Sequence, residues 1–295
     1  MTSPIALSLA MVLIVFAKAA LAAETAAPAG AGAPPAAGTT GSSETARGSP
    51  QGATSLTGAA SLSRSNSLYN LRDGTETASV DASLQVGVRR GIWAGSAVLE
   101  ASQDLRRPEN SDLSGLALQA ARNDLKFAKD HMIITPGVAL SLPVSKDQRL
   151  RQNFIAGTTA SLRLETNPDK AAFRRLSLGT SVSATRNFHT YEQKTDGTLN
   201  TQHSSKQGVD ASFQISKKIT ISAMLAHIDT FSYSGGHRET YTHGEEVGFD
   251  FLPSTNLALG HQLGGSIRKA NGEDYNFQLT DDSQSIVYAS LTVNF

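Results

Sequence analysis

The 295-residue sequence contains no cysteine. This absence excludes disulfide frameworks, thiolate zinc sites, cysteine nucleophiles and a lipidated N-terminal cysteine. The sequence also lacks an excess of either charge, because 26 basic and 26 acidic side chains give zero net charge at pH 7. No overall electrostatic attraction to a polyanion is expected, and we therefore predict that the protein binds no nucleic acid.

Long apolar runs are missing except at the N-terminus, which excludes a polytopic helical membrane protein. Residues 5–17 are apolar without interruption, and residues 20–22 form the small-x-small triplet that signal peptidase cleaves. An apolar core of about 13 residues is too short to span a bilayer but is typical of a secretory signal. We therefore predict a signal peptide over residues 1–22 and export by the general secretory route.

The segment that follows, residues 23–60, has almost no large apolar side chain. It consists mostly of Ala, Gly, Pro, Ser and Thr, and it holds four of the ten prolines. Such a composition cannot bury enough surface to offset the entropy lost on ordering. We predict a disordered spacer here, with occupation of a pore or attachment to peptidoglycan as functional alternatives.

The remaining residues, 61–295, alternate between apolar and polar side chains with the period of two that is typical of β-strands. The alternation changes phase near Ala121, which indicates a β-bulge. Twelve segments show the pattern, at residues 61–72, 78–89, 92–104, 115–127, 131–144, 154–165, 176–191, 205–216, 219–233, 241–252, 256–269 and 284–295.

Two features favour a membrane barrel over a soluble β-sandwich. Connections after even-numbered segments are mostly short, and those after odd-numbered segments are mostly long and polar. Large aromatic side chains lie near the segment ends, in the two bands that membrane interfaces select. The all-β domain over residues 61–295 is therefore predicted to be a closed antiparallel transmembrane β-barrel. We expect about twelve strands, with ten or fourteen as alternatives, and both termini at the periplasmic rim.

The C-terminus ends on an aromatic residue that follows apolar residues at every second position. The residues that form this pattern are Val287, Ala289, Leu291, Val293 and Phe295. In this feature the chain resembles the porin-like outer-membrane β-barrel proteins of Gram-negative bacteria, whose last strand the barrel-assembly machinery reads. The resemblance implies an integral outer-membrane protein that contacts lipid and lipopolysaccharide, and that meets periplasmic chaperones and the assembly machinery during biogenesis.

Charged side chains occupy the polar face of the predicted strands. Burying these charges in lipid would be costly, so we expect them to line a wet or ion-paired interior. Neither sign dominates, so strong ion selectivity is not predicted. The candidate lumen-lining residues are Asp81, Arg89, Glu100, Lys126, Arg163, Glu165, Asp210, Glu246, Asp250 and Arg268.

A channel for passive diffusion of small hydrophilic solutes is the function that this architecture predicts, with no cofactor and with oligomerisation as an open alternative. A closed structural or adhesive barrel that binds a surface partner through its outer loops is a second hypothesis. A hydrolase at the outer rim is a third, because His203, Ser204 and Ser205 lie near a long loop. No local catalytic motif supports the third hypothesis, so we predict no enzyme and no catalytic residue.

Histidines and carboxylates also gather near one outer loop. Imidazoles from two loops could bind zinc or copper, but no pair has the i, i+4 spacing of a helical metalloprotease motif. Loop histidines and glutamates are usually solvated, and we predict no metal site. The residues considered are His189, His203, His237, Glu239, His243, Glu245 and Glu246.

Overall fold

The structure is a computed structural model that describes residues 54–68, 77–106, 111–123, 125–170, 173–267, 276, 278 and 285–295. The predicted signal peptide, residues 23–53 of the predicted spacer and Arg268 lie outside the described residues. No helix within the described ranges is long and apolar enough to cross a membrane.

Strands account for nearly all of the described chain, and one five-residue π-helical turn, Asp147–Arg151, lies between two of them. The strands start and end close to the predicted segments. Their bounds are β1 (Thr54–Ser67), β2 (Ala78–Arg90), β3 (Trp93–Asp104), β4 (Ser111–Arg122), β5 (Leu125–Phe127), β6 (Met132–Leu142), β7 (Phe154–Thr166), β8 (Leu176–His189), β9 (Thr201–Ser216), β10 (Ile219–Ser232), β11 (His237–Leu252), β12 (Thr255–Ser266) and β13 (Ile286–Asn294).

All of these strands belong to one antiparallel sheet that closes on itself. The strand order is β4-β3-β2-β1-β13-β12-β11-β10-β9-β8-β7-β6-β5, and a further pairing joins β4 to β6. Because β4 and β5 both pair with β6, they occupy one position in the wall. The prediction of a closed twelve-stranded antiparallel β-barrel is therefore confirmed.

The break between β4 and β5 is the predicted bulge. Ala121 pairs with Gly137, and Leu125 pairs with Ile134. The first strand advances four residues between these pairs and its partner advances three, so one extra residue moves the side chains that follow to the other face of the sheet. Pro136 lies at this interruption, where the ladder of hydrogen bonds is already broken and a missing N–H group is tolerated.

The first strand begins at Thr54, so the predicted barrel boundary at residue 61 is wrong, and residues 54–60 belong to the wall rather than the spacer. Gly58 and its neighbours carry little apolar signal, but the last residue of the chain fixes their backbone. The Gly58 amide donates to the Phe295 carbonyl at 2.7 Å, and the Phe295 amide donates to the Gly58 carbonyl at 2.8 Å. This partner lies at the opposite end of the chain, so no local pattern could reveal it.

Exposure identifies the outer face of the wall. Along β8, Leu178 and Val182 are 43% and 47% exposed, whereas Ser177, Ser181 and Ser183, on the other face, are half-buried. Large apolar side chains are also exposed at outward positions of other strands, including Val138, Val209 and Leu259. The apolar face is therefore the convex outer surface, and the alternate polar face lines the interior.

Exposed aromatic residues mark the two edges of this apolar surface. Trp93, Phe127 and Phe251 lie near one rim, and Phe188 and Phe231 lie near the other. Short connections predominate on the first rim and long ones on the second, as the sequence predicted, except that nine residues link β7 to β8 and only four link β10 to β11. This arrangement matches the two aromatic girdles of outer-membrane barrels.

Candidate functional site

The inner wall carries many short hydroxyl side chains that bond across neighbouring strands. A hydroxyl group both donates and accepts, so this wall offers hydrogen bonds to water and to uncharged polar solutes. Three cross-strand pairs illustrate the lining: Ser61 and Ser83 with an oxygen–oxygen distance of 2.7 Å, Ser65 and Ser79 at 2.8 Å, and Thr159 and Thr185 at 2.8 Å.

The most ordered charged group of the inner wall is centred on Arg163 of β7. Its Nη1 and Nη2 donate to the two carboxylate oxygens of Asp210 on β9, each at 2.9 Å, and its Nε donates to Glu165 at 2.9 Å. The bidentate pair passes over Gly179 of β8, where an added Cβ would lie only 2.6 Å from Asp210 Oδ2. One cation therefore pairs with two carboxylates, and a glycine provides the space in which the side chains meet.

A second contact of the same shape lies four strands further around the barrel. The Tyr288 hydroxyl of β13 donates to Glu246 Oε2 of β11 at 2.9 Å. The tyrosine ring passes over Gly260 of β12, where an added Cβ would lie 2.3 Å from the ring carbon Cζ. Glu246 is buried, so the tyrosine satisfies a sheltered carboxylate with a neutral donor.

Three further predicted carboxylates lie on the inner face. Asp81 accepts hydrogen bonds from the hydroxyls of Ser79 at 2.9 Å and Ser102 at 2.6 Å. The Glu100 carboxylate lies against Gly115, where an added Cβ would be 3.1 Å away. The Asp250 carboxylate accepts from the side-chain amide of Asn256 at 2.8 Å.

The other two predicted cations within the described residues lie near the rim that carries the short connections. Arg89 and Lys126 are exposed, and their register positions place them on the inner face of β2 and β5. Together with the residues above, nine of the ten predicted positions share the inner face. Six of the nine are acidic and three are basic, so the carboxylates are only partly compensated.

The histidine and carboxylate residues that the sequence grouped together are divided by the fold. Glu246 faces the interior, whereas His237, Glu239, His243 and Glu245 occupy alternate outward positions on β11. His243 and Glu245 join His261 of β12, since Glu245 accepts from the Nδ1 atoms of both rings at 3.1 Å.

His237 lies in a separate group near the rim with the long loops. Its Nε2 is 2.9 Å from Asp229 Oδ1, and its ring stacks on Phe231 at 4.5 Å between centroids. One ligand atom each of Asp229, His237 and Glu239 lies within 4.8 Å of the others. Glu239 Oε1 lies 3.9 Å from His237 Nδ1, beyond hydrogen-bond distance, and the absence of a metal here stays a prediction.

Ser205, one of the residues considered for a rim hydrolase, has another partner, as does the buried His243. The Ser205 hydroxyl donates to Asp229 Oδ2 at 3.2 Å. The two ring nitrogens of His243 face Glu245 and the carbonyl oxygen of Gln278, both at 3.1 Å. These contacts stabilise the wall and one loop, and they do not form a nucleophile–base pair.

The outer loop between β8 and β9 is ordered by an exposed ion pair. Asp196 accepts hydrogen bonds from the hydroxyl and the amide of Thr198 at 2.6 and 2.9 Å, and it pairs with Arg151 from the preceding loop. The hydrogen bonds from Thr198 and from Arg151 hold the pKa of Asp196 well below its usual value. The same contacts join two long loops above the barrel.

Comparison with known proteins adds a fold relationship. No protein-family model matches the chain, and no curated protein matches its sequence. Among solved structures, the chain is similar to the NanC porin, with a TM-score of 0.52, 11% identity, and coverage of 80% of this chain and 98% of the porin. It is also similar to an outer membrane channel from Pseudomonas putida F1, with a TM-score of 0.53, 13% identity and coverage of 84% and 97%.

Sequence reasoning missed the elements that organise the charges. Tyr288 was recognised only as a polar residue between apolar ones, and Gly179 and Gly260 were not singled out. Glycine inside a strand indicates close approach of another group, and that signal could have marked both positions. The side chains that pass over them come from strands on either side, which the linear sequence does not identify.

Proposed function

We propose that this protein is a channel of the bacterial outer membrane that lets small hydrophilic solutes diffuse passively. The observation that carries the proposal is a closed twelve-stranded wall with a polar inner face and an exposed apolar outer face. The fold is shared with proteins described as a porin and as an outer membrane channel.

The lining suggests which solutes pass. Serine and threonine hydroxyls give hydrogen bonds without charge, and Arg163 offsets part of the carboxylate charge. Uncharged hydroxylated solutes would therefore cross with little barrier, and discrimination between ions would be weak.

Liposome swelling tests the proposal, because it measures uptake of uncharged sugars of increasing size. The purified barrel should admit the smallest sugars and exclude the larger ones. The inward substitution Ser181→Trp should reduce uptake by narrowing the lumen, whereas the adjacent outward substitution Thr180→Trp should leave uptake unchanged. If the folded barrel admits no solute, the closed structural barrel becomes the better hypothesis.

We also propose that Val287, Ala289, Leu291, Val293 and Phe295 form the assembly signal, with export through the secretory route and contact with the periplasmic chaperones and the assembly machinery. These residues share the outward face of β13, and Phe295 closes the barrel against Gly58. Deletion of Phe295 should lower the amount of folded, heat-modifiable protein in outer membranes. Asn294→Ala, on the inward face, is the matched control and should not.

A further inference from the structure

Polar groups on β11 and β12 interrupt the apolar outer wall near the middle of these strands. Glu245 of β11 and His261 of β12 point outward next to each other. On their own strands they are flanked by Val247 and Leu259 toward the short-connection rim, and by the buried residues His243 and Leu263 toward the other rim. Ala223 of β10 and Val287 of β13 pair with them from the sides. A carboxylate therefore borders the exposed apolar surface, next to the part of β11 that contacts Gln278.

This carboxylate is held in place but remains accessible. Glu245 accepts from His243 Nδ1 and His261 Nδ1 at 3.1 Å, and its side chain is 54% exposed. A charged group facing lipid at this depth costs up to a few kcal/mol, depending on its distance from the interface. Contact with another polypeptide removes that cost, because a protein surface can supply an opposite charge and exclude hydrocarbon.

The opposite charge occurs on the same face. Arg64 points outward from β1 and is exposed, and it pairs in register with Val80 and Ala289. Arg64 and Glu245 border the same depression of the outer wall. Three interstrand steps separate β1 from β11, or about 14 Å at the usual strand spacing of about 4.8 Å.

We propose that the outer face of β11, β12, β13 and β1 binds a second copy of this chain in a two-fold symmetric contact. A two-fold axis parallel to the barrel axis, passing between Arg64 and Glu245, places Arg64 of each copy opposite Glu245 of the other. The patch is therefore self-complementary, as an isologous dimer requires. An anionic lipid headgroup is the poorer occupant, because the exposed carboxylate repels phosphate.

The inference rests on the proposed membrane location but not on an open pore. The cysteine-free sequence makes thiol cross-linking a direct test, because every thiol is introduced. The proposed axis passes between β12 and β13, so Val287→Cys, with Arg64 and Glu245 in place, should form a covalent dimer in outer membranes with a short bifunctional maleimide. Adding Arg64→Gln and Glu245→Gln to this variant should abolish the cross-link. Val138→Cys/Val182→Cys, exposed on the other side of the barrel, is the matched control and should stay monomeric.

The result also needs a measure that does not depend on cysteine. The mass of the native barrel in mild detergent should correspond to a dimer, and Glu245→Gln with Arg64→Gln should shift it to a monomer while heat-modifiable gel mobility is retained. A monomeric native protein, equal cross-linking of the control pair, or cross-linking to a different polypeptide would overturn the inference. A monomeric barrel that still takes up sugars normally would overturn the dimer and leave the proposed channel intact.

Discussion

Two contacts on the inner wall have the same geometry and different chemistry. Arg163 and Asp210 meet over Gly179, and Tyr288 and Glu246 meet over Gly260. In each case the partners lie two strands apart, and the strand between them has a glycine at the crossing point. At Gly179 a cation pairs with the carboxylates, whereas at Gly260 a neutral hydroxyl group donates to the carboxylate. Because Arg163 pairs with two carboxylates, both groups keep a net negative charge, but only the first contains a cation.

Both contacts show that a glycine in the middle strand leaves space for a long side chain to lie flat against the backbone of the wall. A flat side chain leaves the centre of the lumen open, whereas a side chain that stands upright would fill it. The charge of the donor side chain differs between the two crossings. We expect the largest effect from loss of the cation, followed by loss of the space over the glycine, loss of the neutral donor, and protonation of an exposed carboxylate.

Replacing Arg163 should have the largest effect. Arg163→Met leaves Glu165 and Asp210 without their cation, and the loss of this partly buried group should lower the free energy of unfolding by on the order of 2 kcal/mol. The added negative charge in the lumen should also shift the reversal potential toward cation preference. Denaturant unfolding in detergent and bilayer measurements in a salt gradient would check the two outcomes.

Lys206→Met is the matched control for the loss of one positive charge, because Lys206 is exposed on the inner face of β9. It should alter selectivity slightly and leave stability almost unchanged. Equal destabilisation by the two variants would mean that the ion pair with Asp210 contributes nothing specific.

Filling the space at the crossing should have the next largest effect. In Gly179→Ala the new methyl group would lie 2.6 Å from Asp210 Oδ2 and 2.7 Å from Arg163 Nη2, so the bidentate pair must separate. We expect a loss of about 1–2 kcal/mol in unfolding free energy, near the value for a charged hydrogen bond. In Gly95→Ala the methyl group would meet only ordinary contacts at 3.7 Å or more, so the variant should be close to neutral.

Removing the neutral donor should cost somewhat less. Tyr288→Phe keeps the ring over Gly260 but leaves Glu246 without the hydroxyl, and we expect a loss of about 1.5 kcal/mol. Denaturant unfolding in detergent and the temperature at which the folded gel band is lost would both measure this effect. Tyr191→Phe, in an exposed loop position, should have no effect on either measurement.

The exposed ion pair of Arg151 and Asp196 should contribute the least stability, and it shows how much burial adds to the other two contacts. The pKa of Asp196 lies below its usual value, so its contacts stabilise the loop above about pH 4 and weaken as the pH falls below that. The amide of Thr198, which donates to Asp196, should keep its hydrogen-exchange protection from pH 6 to about pH 4 and lose it as the pH falls further. Global unfolding of the barrel should not follow, because this exposed loop lies outside the wall.

Much of the wall was predictable because one face of every strand must be apolar. The period of two identified the strands, and the phase change near Ala121 identified the bulge between β4 and β5. The parity of the same pattern also placed Arg163, Glu165 and Asp210 on one face. These are local consequences of the pleated backbone, so the sequence expresses them directly.

The rest depends on contacts between distant parts of the chain. Residues 54–60 read as spacer because Gly58 and Ala60 carry little side-chain signal, and their partner Phe295 lies at the other terminus. The outward position of Glu245 breaks the rule that one face is apolar, and its contacts with His243 and His261 explain how the wall holds it. Neither contact follows from periodicity, because each is set by which strands become neighbours.

Single-channel recording in planar lipid bilayers tests the central claim most directly. The folded, purified barrel should insert and produce discrete, reproducible conductance steps, and Ser181→Trp should lower the step size while Thr180→Trp does not. A correctly folded barrel that inserts but never conducts would contradict the account.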